Sequence, residues 1–261
     1  MRNQVLRDAH VVQANSDDLF NQSWSEYQPH GMLWAAQQRF RHILPLLENY
    51  RNDACLIDIG CGDGSFIHTI KRFGLPLQCI GVDTSVDALT RAELNTTPAY
   101  ASEVSFRQKL DPSARHHSGM TIISALHVLE HVADPLTILK SIASQCDIAL
   151  LEVPIEAGWV ETFKAKRMRA ANEGKHPWGH INFWMPAGFI ELVHEAGLIP
   201  ILSHEYAPTL YGARNPYAFS ANILKREIKN VSWKLLPKPL YRELYSSFFF
   251  VAAVPMNVGQ R

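Results

Sequence analysis

Asp58-Ile59-Gly60-Cys61-Gly62-Asp63-Gly64 places three alternating glycines directly behind a short apolar run, Cys55-Leu56-Ile57. Cys55 to Ile59 reads as a buried strand, and Phe66, Ile67, Ile70 and Phe73 give the residues after the glycines a helical apolar face. Glycines at that spacing let the backbone turn sharply without Cβ clashes and leave room for a ligand to lie against the chain. Strand, glycine turn and helix are the start of a ligand-binding α/β unit.

The residues that follow complete the unit. Gln78 to Val82 makes a second strand ending at Asp83, and Ser85 caps a helix carrying Val86, Leu89 and Ala92 on one side. Asp83 stands 19 residues past Gly64, where its carboxylate can accept hydrogen bonds from both hydroxyls of a ribose. Amides at the first helix start suit a ligand carboxylate. A dinucleotide fingerprint reads G-x-G-x-x-G, whereas here the third glycine comes one residue early and an acid precedes the first. That acid repels phosphate. A ligand with an ammonium group and a sulfonium but no phosphate suits Asp58 and Asp63, and S-adenosylmethionine is such a ligand.

Farther along, Val104 to Gln108, Thr121 to Ala125 and Ile148 to Val153 read as strands three to five, with Asp134-Pro135 opening a helix that runs through Cys146. Pro186 to Ala196 is a helix stopped by Gly197, and Leu198 to Leu202 and Phe248 to Val254 supply two last strands. Alternation of strands and helices predicts an α/β fold: a Rossmann-like, seven-stranded, mostly parallel sheet with helices on both faces, a three-layer sandwich with ligands at the strands' carboxyl ends. Residues 1–52, with a helix from Gly31 to Tyr50, form an expected helical cap or substrate segment. Residues 53–261 form the main domain, with insertions at about 155–185 and 205–247, the second with its own helix.

With these residues in place, the chain resembles the class I S-adenosylmethionine-dependent methyltransferase superfamily over residues 53 to 154. The resemblance implies that Asp58, Gly60, Cys61, Gly62 and Gly64 hold the methionine part of the cofactor. It assigns Asp83 to the ribose, Leu110 and Asp111 to the adenine, and Thr84 and His127 to the same cofactor site. The sequence departs from the family at Thr121, where an acid often opens the fourth strand.

Methyl transfer from a sulfonium depends mainly on orientation and desolvation, and a hydroxyl or ammonium acceptor also needs a proton acceptor. His127-Val128-Leu129-Glu130-His131-Val132 resembles the L-E-H-V segment of small-molecule members, and His180-Ile181-Asn182-Phe183 an H-x-x-F pattern of the same group. His131, His180 and His127 are therefore the catalytic candidates. An alternative makes His127, Glu130, His131 and His180 a divalent-metal site, because some RNA 2′-O-methyltransferases and quinone-pathway enzymes carry E-x-x-E-H there. With histidine as the first ligand, such a site favours zinc, iron or manganese over magnesium. In the alternative structural reading, His131 and Glu130 satisfy loop backbone and Phe183 and Trp184 are core aromatics.

Bulk properties narrow the function. The chain has 261 residues, 47% of them apolar, and its 25 basic and 25 acidic residues leave no net field to attract nucleic acid. Cys55, Cys61, Cys79 and Cys146 contain no C-x-x-C pair, so reduced thiols in a cytoplasmic protein are expected. No apolar run reaches the ~18 residues of a membrane span, and Met1 to Asn21 lacks a secretory pattern. Trp24, Tyr27, Trp34, Trp159 and Trp178 are candidates for an acceptor-pocket wall, and Lys164, Lys166, Arg167 and Arg169 read as a solvated face. The expected activity is methylation of a small-molecule oxygen, nitrogen or carbon centre. Metal-assisted RNA ribose methylation and a non-catalytic partner subunit are the alternatives, and oligomeric state is left open.

Overall fold

A computed structural model describes residues 29–48, 54–96, 100–109, 119–156, 158, 163, 176, 179–207 and 221–256, with the side chains of 29–32, 34 and 221–227 left aside. Its elements in chain order are α1 (Pro29–Glu48), β1 (Ala54–Ile59), α2 (Ser65–Arg72), β2 (Gln78–Val82), α3 (Val86–Asn95), β3 (Val104–Arg107) and β4 (Met120–Leu126). A 3₁₀ turn (Leu129–His131) follows, then α4 (Pro135–Gln145), β5 (Ile148–Ile155), α5 (Pro186–Glu195), β6 (Leu198–Tyr206), α6 (Ala221–Leu235), α7 (Lys238–Leu244) and β7 (Ser247–Pro255).

The sheet has the order β3-β2-β1-β4-β5-β7-β6. Its first five strands pair in parallel, and β7 runs antiparallel between β5 and β6. The order in which strands are added to the sheet therefore reverses at β1, between β2 and β4. That reversal opens a crevice at the carboxyl ends of β1 and β4.

Neighbouring residues on the central strands serve opposite cores because successive side chains alternate across a sheet. Leu56, Ile122 and Leu150 pack with Phe40, Ile43 and Leu47 of α1 and Phe66, Ile67 and Ile70 of α2. Ile57, Ile123 and Leu151 pack with Leu139 and Ile142 of α4 and Phe189 and Val193 of α5. This is the expected three-layer arrangement, and α1 shares a core with the sheet. All seven expected strands are present. β6 and β5 run beyond their expected ends, to Tyr206 and Ile155, because both pair with β7 out to those residues.

The caps are where the sequence puts them. Ser85 accepts a hydrogen bond from the Ala88 amide at the start of α3, and Asp134 accepts one from the Thr137 amide at the start of α4. The second insertion carries two helices, α6 and α7, where one was expected. Arg242 of α7 donates to Glu205 of β6, fixing α7 against the sheet edge. No helix among the described residues is long and apolar enough to cross a membrane.

Candidate functional site

At the crevice, Gly60, Gly62 and Gly64 take φ values of 68°, 53° and 73°, in the left-handed region that side chains disfavour. The amides of Gly60 and Cys61 both donate to the Val82 carbonyl, at 2.7 and 3.1 Å, folding the loop over the end of β2. A Cβ on Gly60 would sit 2.4 Å from Val128 Cγ2, so glycine there also lets the loop meet the turn after β4. Cys61 is buried under the loop, and burial beside Asp58 and Asp83 pushes its thiol far up. It contributes packing and backbone.

Asp83 is held from both sides. Its Oδ2 accepts from the Gly62 amide and its Oδ1 from the Ser85 amide, each at 2.9 Å. The Thr84 amide also donates to this carboxylate, and these backbone bonds oppose the upward push of burial on its pKa. Thr84 lies exposed beside it. Asp58 is buried at the end of β1 and accepts from Ser124 Oγ at 2.7 Å. Burial pushes its carboxyl up to about 7, against the opposing effects of Ser124 and the Arg39 charge.

Asp63 takes a different part from the one expected. Its carboxylate is buried and accepts from the Ser65 amide at 3.1 Å and Ser65 Oγ at 2.8 Å, with Asn95 Nδ2 at 3.4 Å. It closes the start of α2, satisfying the Ser65 amide, which the left-handed Gly64 cap leaves without a side-chain acceptor. Leu110 and Asp111 lie outside the described residues, as do Trp24, Tyr27, Trp159, Trp178 and the Lys164 to Arg169 cluster. Trp34 lies in α1, with its side chain not described.

His127 follows directly on β4 with φ 59°, the only described non-glycine residue in the left-handed region. Its amide donates to the Glu152 carbonyl at 3.0 Å. Its ring lies between two fully buried carboxylates, with Nε2 at 2.9 Å from Glu152 Oε1 and Nδ1 at 3.2 Å from Glu130 Oε1. Arg39 Nε reaches Glu152 Oε1 at 2.8 Å, and the Tyr206 hydroxyl donates to Oε2 at 2.5 Å. Burial alone would push Glu152 up, but His127 and Arg39 hold it down at about 2. Burial and the Arg39 charge oppose protonation of His127, yet the flanking carboxylates prevail and raise it.

A second group of side chains lies over the Leu129–His131 turn. The Glu130 carbonyl accepts the amides of Ile181 and Asn182, at 2.8 and 3.1 Å. Asn182 Nδ2 donates to the carbonyls of Leu129 and Val132, at 3.0 and 2.6 Å. This clamp brings His180 to His131, with ring centroids 4.9 Å apart. His180 Nδ1 lies 2.7 Å from Glu156 Oε2, and the His176 ring stacks on His180 at 4.7 Å. His131 Nδ1 faces the Gly179 carbonyl at 3.4 Å and its Nε2 lies 4.0 Å from Glu130 Oε1. Burial, the first influence on His131, lowers its pKa despite Glu130, favouring the neutral ring.

Ligand-type atoms therefore gather in two overlapping sets, Glu130 with His131 and His180, and Glu156 with His176 and His180, each within 4.8 Å of one another. His127 belongs to neither set, because both its ring nitrogens face buried carboxylates. Sequence reasoning passed over Glu152, Glu156, His176, Arg39 and Asn182. For Glu152 a signal existed: a lone acid inside the apolar run of β5 demands buried partners.

A family model described as a methyltransferase domain matches residues 33–202. The ubiquinone biosynthesis O-methyltransferase of Pseudoalteromonas translucida is 25% identical over 150 residues, covering 54% of this chain and 62% of that protein. The enzyme of the same name from Nitrobacter winogradskyi is 37% identical over 79 residues, 30% of this chain and 29% of its own. The chain spans about half the length of the first curated relatives it matches. Among solved structures, the Synechocystis magnesium protoporphyrin IX methyltransferase with bound S-adenosylhomocysteine superposes with a TM-score of 0.53 at 15% identity, covering 85% of this chain and 84% of that one. Haemonchus contortus phosphoethanolamine N-methyltransferase 2 gives 0.54 at 15% identity, over 85% and 56%. These structures share the fold, and the family match covers well over half of the sequence. The chain belongs to the methyltransferase domain family.

Proposed function

We propose that this chain transfers a methyl group from S-adenosylmethionine to the oxygen of a small-molecule acceptor. The observation that carries the reading is the bond from the Gly62 amide to Asp83 Oδ2. It locks the glycine loop to a carboxylate at the end of β2 that suits ribose hydroxyls, beside Asp58 and with no cation to receive a phosphate among the side chains described in the loop. Asp58 would face the ammonium group, Gly60 to Gly64 the methionine part, Asp83 and Thr84 the ribose, Leu110 and Asp111 the adenine. His127 would border the same site through its backbone.

Transfer from a sulfonium is an in-line displacement, and the chain's work is to align donor and acceptor and to take a proton. His131 suits the second task. With Nδ1–H directed at the Gly179 carbonyl, its Nε2 carries the lone pair, and lowered basicity keeps the ring neutral near pH 7. His180, held by Glu156, braces the His131 ring. The oxygen acceptor is favoured because the curated relatives are named O-methyltransferases. Calorimetry with S-adenosylhomocysteine, followed by uptake of labelled methyl into hydroxylated acceptors, tests the reading. Absence of binding to the pure chain would end it.

A further inference from the structure

We infer that Glu156, His176 and His180 form a binding site for a divalent transition metal of the zinc type. This goes beyond the methyl-transfer reading and does not depend on it. His176 and His180 are separated as H-x₃-H, a spacing that puts two imidazoles on one ion in zinc proteins. Gly179, at φ 70°, turns the chain so that both rings lie on one side. Glu156 meets them from the residue just after β5.

One carboxylate oxygen addresses both rings: Glu156 Oε2 is 2.7 Å from His180 Nδ1 and 4.0 Å from His176 Nε2. Zinc bonds of ~2.0–2.2 Å in tetrahedral geometry place ligand atoms roughly 3.4 Å apart, inside this range. Both imidazoles are buried and the carboxylate is nearly so, which lowers the competition from water. Ligation through His176 Nε2 requires its Nδ1–H tautomer, so the 3.3 Å contact from the His180 amide to His176 Nδ1 is exchanged for the metal bond. His180 carries its proton on Nε2 when Nδ1 ligates.

The overlapping set of Glu130, His131 and His180 is less suited. Glu130 is committed to His127 at 3.2 Å, so drawing it to an ion would strip a buried imidazole of one of its two counter-charges. Two imidazoles and one carboxylate favour zinc, manganese or iron over magnesium. Three protein ligands leave a fourth position for water or an acceptor oxygen, next to His131.

The full chain, stripped with chelator and titrated with zinc against a chromophoric competitor, is expected to bind one ion per chain and to melt at a higher temperature when loaded. His176→Ala and Glu156→Gln should each weaken binding at least tenfold, while Glu130→Gln and His131→Ala retain it. Cobalt on the unmodified chain should show the absorption of a low-coordinate nitrogen and oxygen site, a readout independent of how the variants fold. Failure to bind zinc stoichiometrically overturns the inference. So does loss of binding in Glu130→Gln and His131→Ala with retention in His176→Ala. S-adenosylhomocysteine calorimetry on the same samples separates the two claims: binding of one ligand without the other rejects only the claim for the missing one.

Discussion

Glu152 Oε1 lies 2.9 Å from His127 Nε2, and the same residue's carbonyl takes the His127 amide, so one residue of β5 holds both the ring and the left-handed backbone of the residue that follows β4. Arg39 from α1 closes the arrangement on the same carboxylate oxygen. The N-terminal helix, the sheet and the turn bearing the site histidines are thus joined through one buried acid.

Replacing Glu152 with Gln should destabilise the protein by about 3–5 kcal/mol, since Arg39 would lose its buried counter-charge and His127 one of its two. Urea denaturation checks this. The pH dependence has a defined sign. A carboxyl held at about 2 in the fold against 4.5 in the open chain contributes stability above pH ~4.5 that is lost as pH falls toward 2. The variant should lose less stability than the parent over that window.

Cofactor binding should weaken below neutrality through Asp58. Burial raises its carboxyl to about 7, and a ligand ammonium selects the ionised form. Affinity for S-adenosylhomocysteine should fall toward about tenfold per pH unit below 7, and Asp58→Asn should bind weakly with little pH dependence. In the absence of ligand the sign reverses: the proton that the fold holds more tightly than the open chain gives Asp58 a stability contribution that declines as pH rises from 3.8 toward 7. Calorimetry and melting curves read the two effects separately.

Gly60→Ala should abolish measurable cofactor binding and cost about 1–3 kcal/mol from backbone strain alone. Its Cβ also meets Val128 Cγ2 at 2.4 Å. Adding Val128→Ala removes the collision and leaves the positive φ, so the double variant should regain part of the stability. Melting temperatures of the three proteins decide the point.

His131→Ala should lower the methyl-transfer rate by about 10²–10⁴, the usual share of a general base, while S-adenosylhomocysteine affinity stays within about twofold. Single-turnover transfer of labelled methyl measures the first and calorimetry the second. An equal loss in both would mean that the ring supports the fold of the site and takes no proton.

The strands were legible because their apolar runs match a sheet buried on both faces. Cys55 to Ile59 and Ile148 to Val153 have their places in the sheet for that reason. The loop was legible because its conformation needs glycine at three alternate positions. Asp63 was misread as ligand-facing because its side chain has two suitors. The nearby Ser65 amide and hydroxyl capture it within two residues, and only the course of the backbone reveals which wins. Asn182 escaped notice because its partners, the carbonyls of Leu129 and Val132, are about fifty residues away in the chain.

By itself the sequence determined the methyltransferase family, the order of strands and helices, and the two acids that flank the glycine loop. Each is written in local periodicity, backbone tolerance and spacing. Tertiary structure alone decided which histidines meet. His127 is spent on Glu130 and Glu152, while His131, His176 and His180 converge through a turn clamped by Asn182. Charge pairing in a buried space depends on separations of a few ångströms between residues far apart in the chain, and no local pattern encodes those distances.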